Sequence, residues 1–227
     1  MLGTFVNMAA VLVGGGIGLL LKGRLSSRVT ENLLRVMGLC VCVIGLSGAI
    51  QGDAMLLVAA LASGTLLGEA LDLDGRLNRF GLWIQAKMSG KGGGSQIAEG
   101  FVTATLLFCV GAMAIVGSID SGLRGDHSVI FTKSVIDGVS AMVFASALGA
   151  GVLLSGASIL IYQGAIVLCA SSLQSVLSPE LITQVSAAGS VMILGLGLNM
   201  ALEAKIKVAN LLPAFLTAAG YYFLVLA

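Results

Sequence analysis

Residues Phe108–Asp137 read FCVGAMAIVGSIDSGLRGDHSVIFTKSVID, and the rest of the chain is best understood outward from them. An apolar run carrying Gly111, Gly117 and Ser118 gives way to a short polar loop, and a second apolar run contains Lys133 and Asp137. An ionisable side chain in hydrocarbon costs roughly 2.5–3.5 kcal/mol on insertion scales, so it persists where protein, water or a ligand receives it. A binding site is therefore expected in this stretch.

The whole chain shares that apolar character. Of its 227 residues 57% are hydrophobic and 10% charged, with 32 Gly and 2 Pro, against about 25% charged in a soluble domain. The expected fold class is an all-α integral membrane protein of about eight transmembrane helices, since a bilayer asks for about 20 apolar residues per span. The runs fall near residues 4–21, 36–50, 54–71, 99–119, 132–154, 159–176, 182–202 and 208–226. The first has no basic residue ahead of it, so it reads as a retained helix rather than a cleaved signal.

Composition also excludes classes of function. A net charge of +1 gives no pull toward nucleic acid, and the lipid bilayer is the first partner. Cys40, Cys42, Cys109 and Cys169 lie inside apolar runs with no metal-ligand spacing, so they read as small buried thiols, and no metal or cofactor is expected. HExxH and GxSxG are absent and the lone His127 has no evident nucleophile partner, so an enzyme is not expected.

The chain reads as one polytopic domain over 1–227. Residues 72–98 hold an interfacial amphipathic helix, with Trp83 as a headgroup anchor, and the Gly-rich linker GKGGGS from Gly90. Residues 99–154 form two central spans. The segment LSSRVTENLLRVMGLCVCVIGLSGAI from Leu25 resembles LSPELITQVSAAGSVMILGLGLNMAL from Leu177, and LLVAALASG from Leu56 resembles LLPAFLTAA from Leu211. This suggests a repeat of 1–71 in 155–227. The shift is five crossings, and an odd shift inverts the orientation, as in many secondary transporters.

With the first terminus outside, the inner loops hold Lys22, Arg24, Arg28, Arg35, Arg76, Arg79, Lys87, Lys91, Lys205 and Lys207, and the outside keeps Arg124 and Lys133. That is the positive-inside pattern, with both termini on the outer side. Glycine-rich faces, Gly14, Gly15, Gly16 and Gly18 among them, suit close helix packing, within the chain or in a homodimer.

The candidate substrate-binding residues are Gly111, Ala112, Met113, Gly117, Ser118, Lys133, Asp137, Asn7 and Asn199, with Asp137 and Glu69 as candidates for proton or ion coupling. Gly111 and Gly117 flank a segment that could unwind and free its backbone groups for a ligand, or that could stay straight and admit a neighbouring helix. Lys133 and Asp137, four residues apart, share a helix face, either as a self-neutralising pair or as a site. Asn7, Asn199, Gln163 and Asn210 also suit interhelical hydrogen bonding.

The signature FCVGAMAIVGSIDSGLRGD followed by TKSVIDG, with the opening GTFVN and the later NLLPA, resembles the bacterial inner-membrane family called domain of unknown function 554. The resemblance covers essentially the whole chain. It implies a multi-pass protein of the bacterial cytoplasmic membrane, commonly supposed to be a transporter, and it carries over no substrate or site residue. The expected function is a secondary carrier or channel-like protein for a small ion or hydrophilic solute. The alternative is a structural or regulatory membrane module that oligomerises and recruits a cytoplasmic partner.

Overall fold

The computed structural model describes residues 1–22, 27–77, 79, 83, 94–173 and 177–225, and among these there is no strand. The helices are α1 (Leu2–Leu21), α2 (Ser27–Ala49), α3 (Ala54–Leu71), α4 (Gly94–Cys109), α5 (Ala112–Leu123), α6 (Ser128–Leu148), α7 (Gly151–Leu168), α8 (Ala170–Leu173), α9 (Pro179–Leu202) and α10 (Ala214–Val225), with a 3-10 turn over Val208–Leu211. Among the described residues α1, α3, α6, α7 and α9 are each long and apolar enough to cross a membrane, and α4 with α5 qualifies as one span bent by 59°. Leu34–Ala49 and Val208–Leu224 are shorter apolar helices.

The exposed surface is apolar where a soluble protein would be polar. On α1 Val13 and Leu20 are exposed, on α2 Leu39, Val43 and Ile44, and on α6 Val135, Ile136 and Val139. Buried positions instead include Asn7, Lys133, Asp137 and Gln163. Exposed apolar side chains and buried polar ones suit a lipid solvent.

Two compact units divide the chain. The first comprises Met1–Leu33 and Phe80–Leu177 and holds α1 and α4 to α8. Glycines bring its helices together. A β-carbon on Gly14 would run into the carbonyl of Gly138, one on Gly18 into that of Met142, and one on Gly3 would stand 3.2 Å from Ile130. These pairings make α1 and α6 run side by side in the same direction, backbone against backbone. Gly151 closes on the Ile97 carbonyl in the same way, and Thr105 Oγ1 donates to Ser158 Oγ at 3.1 Å, tying α4 to α7.

The second unit comprises Leu34–Arg79 and Ser178–Ala227. Gly38, Gly45 and Gly197 seat α2 on α9, and Gly64 and Gly68 seat α3 on Ala214 and Asn210. Asp53 caps α3 by accepting from the Leu56 amide at 2.9 Å, and Ser178 caps α9 by accepting from Leu181 at 3.1 Å, with Pro179 at the start of the helix.

Several boundaries differ from expectation. The fifth span ends at Gly149 (φ 82°, ψ −154°), a backbone region open mainly to glycine, rather than near residue 154. Ser155 and Gly156, between the expected runs 132–154 and 159–176, lie inside α7, where Ser155 Oγ donates to the Val152 carbonyl at 2.6 Å. Residues 27–36 continue into α2 as one helix. Cys109 is buried, but Cys40 and Cys169 are exposed thiols. In the 72–98 segment, residues 73–77 are helical and Trp83 is exposed; 78, 80–82 and 84–93 lie outside the described residues, as do Arg24, Lys87 and Lys91.

Candidate functional site

The expected i, i+4 pair on α6 is formed and buried. Lys133 Nζ donates to Asp137 Oδ1 at 2.8 Å and Oδ2 at 2.6 Å, and the two residues are 6% and 3% exposed. Asn7 of α1 completes the arrangement, donating from Nδ2 to Asp137 Oδ2 at 3.1 Å. Asn7 reaches this position because Gly3, Gly14 and Gly18 lie on the α1 stripe that lets α6 approach. A carboxylate that accepts from an ammonium and an amide can remain ionised away from bulk water.

The chain breaks beside this cluster. Gly111 adopts φ 120° and ψ 151°, between the Val110 amide, which still donates to Leu106 at 2.9 Å, and the Ala114 amide, which turns back to Gly111 at 3.1 Å. Cys109, at the end of α4, is near enough to Lys133 and Asp137 to feel both charges, and Tyr162 of α7 feels Cys109. The segment between Gly111 and Gly117 is helical rather than unwound, and the break in the fourth span is confined to Val110 and Gly111. Gly117 is helical and packs near Val129 and Ile130. Ala112 opens α5, and Met113 is exposed rather than turned into the buried set.

The unit that holds the pair also contains polar atoms the helices do not satisfy. Among the described residues, Thr4 Oγ1, Asn7 Oδ1, Thr103 Oγ1, Ser118 Oγ and both amide atoms of Gln163 are buried with no hydrogen-bond partner. These six atoms belong to the first unit; Ser186 Oγ and Asn210 Nδ2, in the second unit, are likewise buried without a partner. Ser134 and Ser155, by contrast, donate to carbonyls of their own helices. Ile130 stands against both Gly3 and Gly117, which sets the turns carrying Thr4 and Ser118 at one level. Gly156 faces Met8 and Leu12, and Gly164 faces Met1, so Gln163, on the α1 side of α7, also approaches the start of α1.

Other expected residues lie elsewhere. Asn199 belongs to the second unit and is occupied with Ile206, donating to its carbonyl and accepting from its amide, both at 2.7 Å. Glu69 is half exposed and pairs with Lys207 at 3.4 Å in the same unit. His127 sits at the start of α6 with Nδ1 2.8 Å from Ser121 Oγ. Thr4 and Thr103 do not stand out in the sequence. The available signal for Thr4 is its place three residues before Asn7, on the same helix face. Among the described residues no group of three or more His, Cys, Asp or Glu side chains is disposed to hold a metal ion.

Comparison with known proteins places the chain. It is 32% identical over 221 residues to "Uncharacterized membrane protein YdfK" of Bacillus subtilis (strain 168), covering 95% of this chain and 93% of that one. It is 30% identical over 221 residues to "Uncharacterized protein YqgA" of Escherichia coli (strain K12), covering 96% and 94%. No solved structure matches it. The family described as "Protein of unknown function (DUF554)" matches residues 2–223. With that match over nearly its full length, and with five helices among the described residues long and apolar enough to cross a bilayer, the chain is a membrane protein and belongs to the DUF554 family.

Proposed function

We propose that this protein is a transporter, a secondary carrier or channel-like protein for a small ion or hydrophilic solute, and that its binding locus is the Lys133–Asp137–Asn7 cluster beside the Gly111 break. The observation that carries this reading is the coincidence of a buried ion pair with the unpartnered polar atoms of Thr4, Asn7, Ser118 and Gln163 in the same bundle. A pair that served packing alone would have no need of them. An unsatisfied buried polar group costs roughly 1–3 kcal/mol, so several together in an otherwise close-packed unit imply a polar occupant.

The architecture proposed with it has eight crossings, counting the bent α4–α5 pair and the two shorter apolar helices with the five long spans. The inverted repeat is supported by the seating of α2 on α9. The offset that carries Gly45 onto Gly197 carries Gly38 onto Ser190, and it turns the Gly38–Gly197 approach into the Gly45–Ser190 approach, both of which are close. The basic residues support a bacterial cytoplasmic membrane location with both termini on the outer side.

The test is flux into vesicles reconstituted with purified protein, screened over inorganic ions, amino acids and organic anions. Uptake in the wild type, lost in Asp137→Asn and in Lys133→Ala, is the expected result. No flux for any of these, or flux indifferent to both variants, would remove the reading. The alternative, a non-transporting structural or regulatory module, draws on the close glycine packing of α1 on α6. In such a module Thr4→Val and Ser118→Ala would raise stability and cost nothing, whereas in a transporter the same gain would come with impaired flux.

A further inference from the structure

We infer that Asp137 is a binding site for a monovalent cation, that the Lys133 ammonium stands where that cation binds, and that entry of the cation is matched by release of one proton. This names the substrate class of the site proposed above and rests on that reading for its purpose, while the geometry stands by itself.

The donor set selects a cation. An ionised carboxylate only accepts hydrogen bonds, so the Asn7 edge 3.1 Å from Asp137 Oδ2 is the NH2 edge, which leaves Oδ1 as a buried acceptor with no partner. Thr4 lies three residues earlier on the same face of α1, and its buried hydroxyl is likewise unpartnered. One carboxylate facing two neutral oxygens set one turn apart on the neighbouring helix is the ligand chemistry of a hard cation. An anion would confront Asp137 and Asn7 Oδ1, both negative, and would have to win Lys133 from a carboxylate already held through both oxygens.

The charge balance selects a monovalent one. The pair is neutral, and a second cation beside the buried ammonium would be left without a counter-charge. A divalent ion would leave an excess positive charge even if the ammonium lost its own. Neutrality is kept if the Lys133 N–H bond breaks heterolytically, its electron pair staying on nitrogen and its proton leaving to water. The ammonium–carboxylate pair and a monovalent cation then become a neutral amine, a cation-bound carboxylate and a free proton. Nothing is oxidised or reduced.

From the elements packed against α6, the titratable groups near the pair are the Cys109 thiol of α4 and, beyond it, the Tyr162 phenol of α7. Asp120 of α5 pairs with Arg124 at 3.6 Å, His127 is engaged by Ser121, and Lys22 of α1 and Glu99 of α4 lie toward the other end of α6, Lys22 beside Gly149 and Glu99 next to Gly100, which packs on Leu148. Ser118 and Gln163 extend the polar line from Asn7 and Thr4 toward the His127 end of the bundle.

The test reads proton release without requiring transport. Purified full-length protein in detergent and weak buffer is titrated with LiCl, NaCl or KCl against choline chloride, with a pH-sensitive dye reporting protons and isotope binding reporting cations. At least one alkali cation is expected to bind at about one per protein with release of about one proton. Lys133→Gln, which keeps the side chain's approximate bulk, should bind the cation with no proton released, and Asp137→Asn should bind none. Thr4→Val, a near-isosteric change that guards against misfolding in the charge variants, should raise the half-saturating concentration about three- to tenfold while leaving the proton count intact. Wild-type protein that is monodisperse yet releases no more protons with any alkali salt than with choline chloride overturns the inference, as does release undiminished in Lys133→Gln. Cation-linked release without vesicle flux would sustain this site and remove transport; solute flux without it would sustain transport and remove this site.

Discussion

Gly14 of α1 lies directly against the carbonyl of Gly138 on α6, one residue beyond Asp137, so a close approach of the two backbones adjoins the buried charges. The position of Asn7 depends on that contact, because a wider separation would draw its amide away from Asp137 Oδ2. Gly14→Ala is therefore expected to cost about 1–3 kcal/mol of stability through overpacking. A β-carbon on Gly16, two residues on, would meet nothing within 4 Å, and Gly16→Ala should be neutral or slightly stabilising. Thermal unfolding of the two variants in one detergent checks the contrast, and equal loss in both would contradict the packing.

Removing one member of the ion pair leaves the other buried and unpaired. Asp137→Asn or Lys133→Met alone should destabilise by about 3–5 kcal/mol, and Lys133→Met combined with Asp137→Leu should recover much of the loss. A double-mutant cycle on the unfolding midpoint measures the coupling. Additive losses would mean that the two charges do not support one another.

Gly111 offers a test of backbone conformation free of crowding, since a β-carbon there would have nothing within 4 Å while φ is 120°. Gly111→Ala should cost about 1–3 kcal/mol from torsional strain alone, or straighten the fourth span to escape it. Spin labels at Thr105 and Val116 would report the outcome: an unchanged distance with lowered stability is the strain result, and a longer distance is the straightened helix.

The Glu203–Lys207 connection has two non-glycine residues in left-handed conformation, Glu203 at φ 55° and Lys205 at φ 58°, and Asn199 holds it through Ile206. Asn199→Ala should cost about 1–2 kcal/mol and speed trypsin cleavage after Lys205 and Lys207. Glu203→Gly should slow cleavage by relieving one strained torsion. Unchanged cleavage in Asn199→Ala would show that the side chain is not what orders the loop.

Asp126, in the loop ahead of α6, accepts from the Ser128 hydroxyl at 2.7 Å and amide at 2.9 Å, and these bonds hold its carboxyl below the usual carboxylate range. A carboxyl with a depressed folded pKa stabilises at pH above its unfolded value of about 3.9, and that contribution disappears as pH falls through the folded value. Melting curves from pH 6 to pH 3 should fall more steeply for the wild type than for Asp126→Asn. Parallel curves would remove the cap from the account.

Where an outcome depends on residues adjacent in sequence, it is legible beforehand. The i, i+4 spacing places Lys133 on Asp137, Ser178-Pro179 sets the start of α9, and the length of each apolar run finds the long helices. Other features depend on what the solvent permits or on which turns of distant helices share a level. Ser155–Ser158 resembles a turn in water, but in a membrane helix a serine returns its proton to its own backbone, as Ser155 does, and the chain reverses at Gly149 instead. Thr4 and Gln163 look ordinary in sequence. Their significance comes from being buried without partners, a property of the packed bundle. Asn199 reads as intramembrane polarity and is the clasp of a loop seven residues away, which follows from two left-handed torsions that composition does not announce.

The second unit is assembled from two separated pieces, Leu34–Arg79 and Ser178–Ala227, and this bears on how the protein is made. The glycine faces of α2 and α3 have no mates until α9 and α10 leave the ribosome, roughly a hundred residues later, which at about 5–20 residues per second is a wait of roughly 5–20 s. During that interval the newborn helices stand in the bilayer with their tightest docking surfaces open to lipid or to any passing small-residue helix. Biogenesis of this chain should thus be sensitive to slowed translation between Phe80 and Leu177, and a product truncated there should be a substrate for membrane quality control.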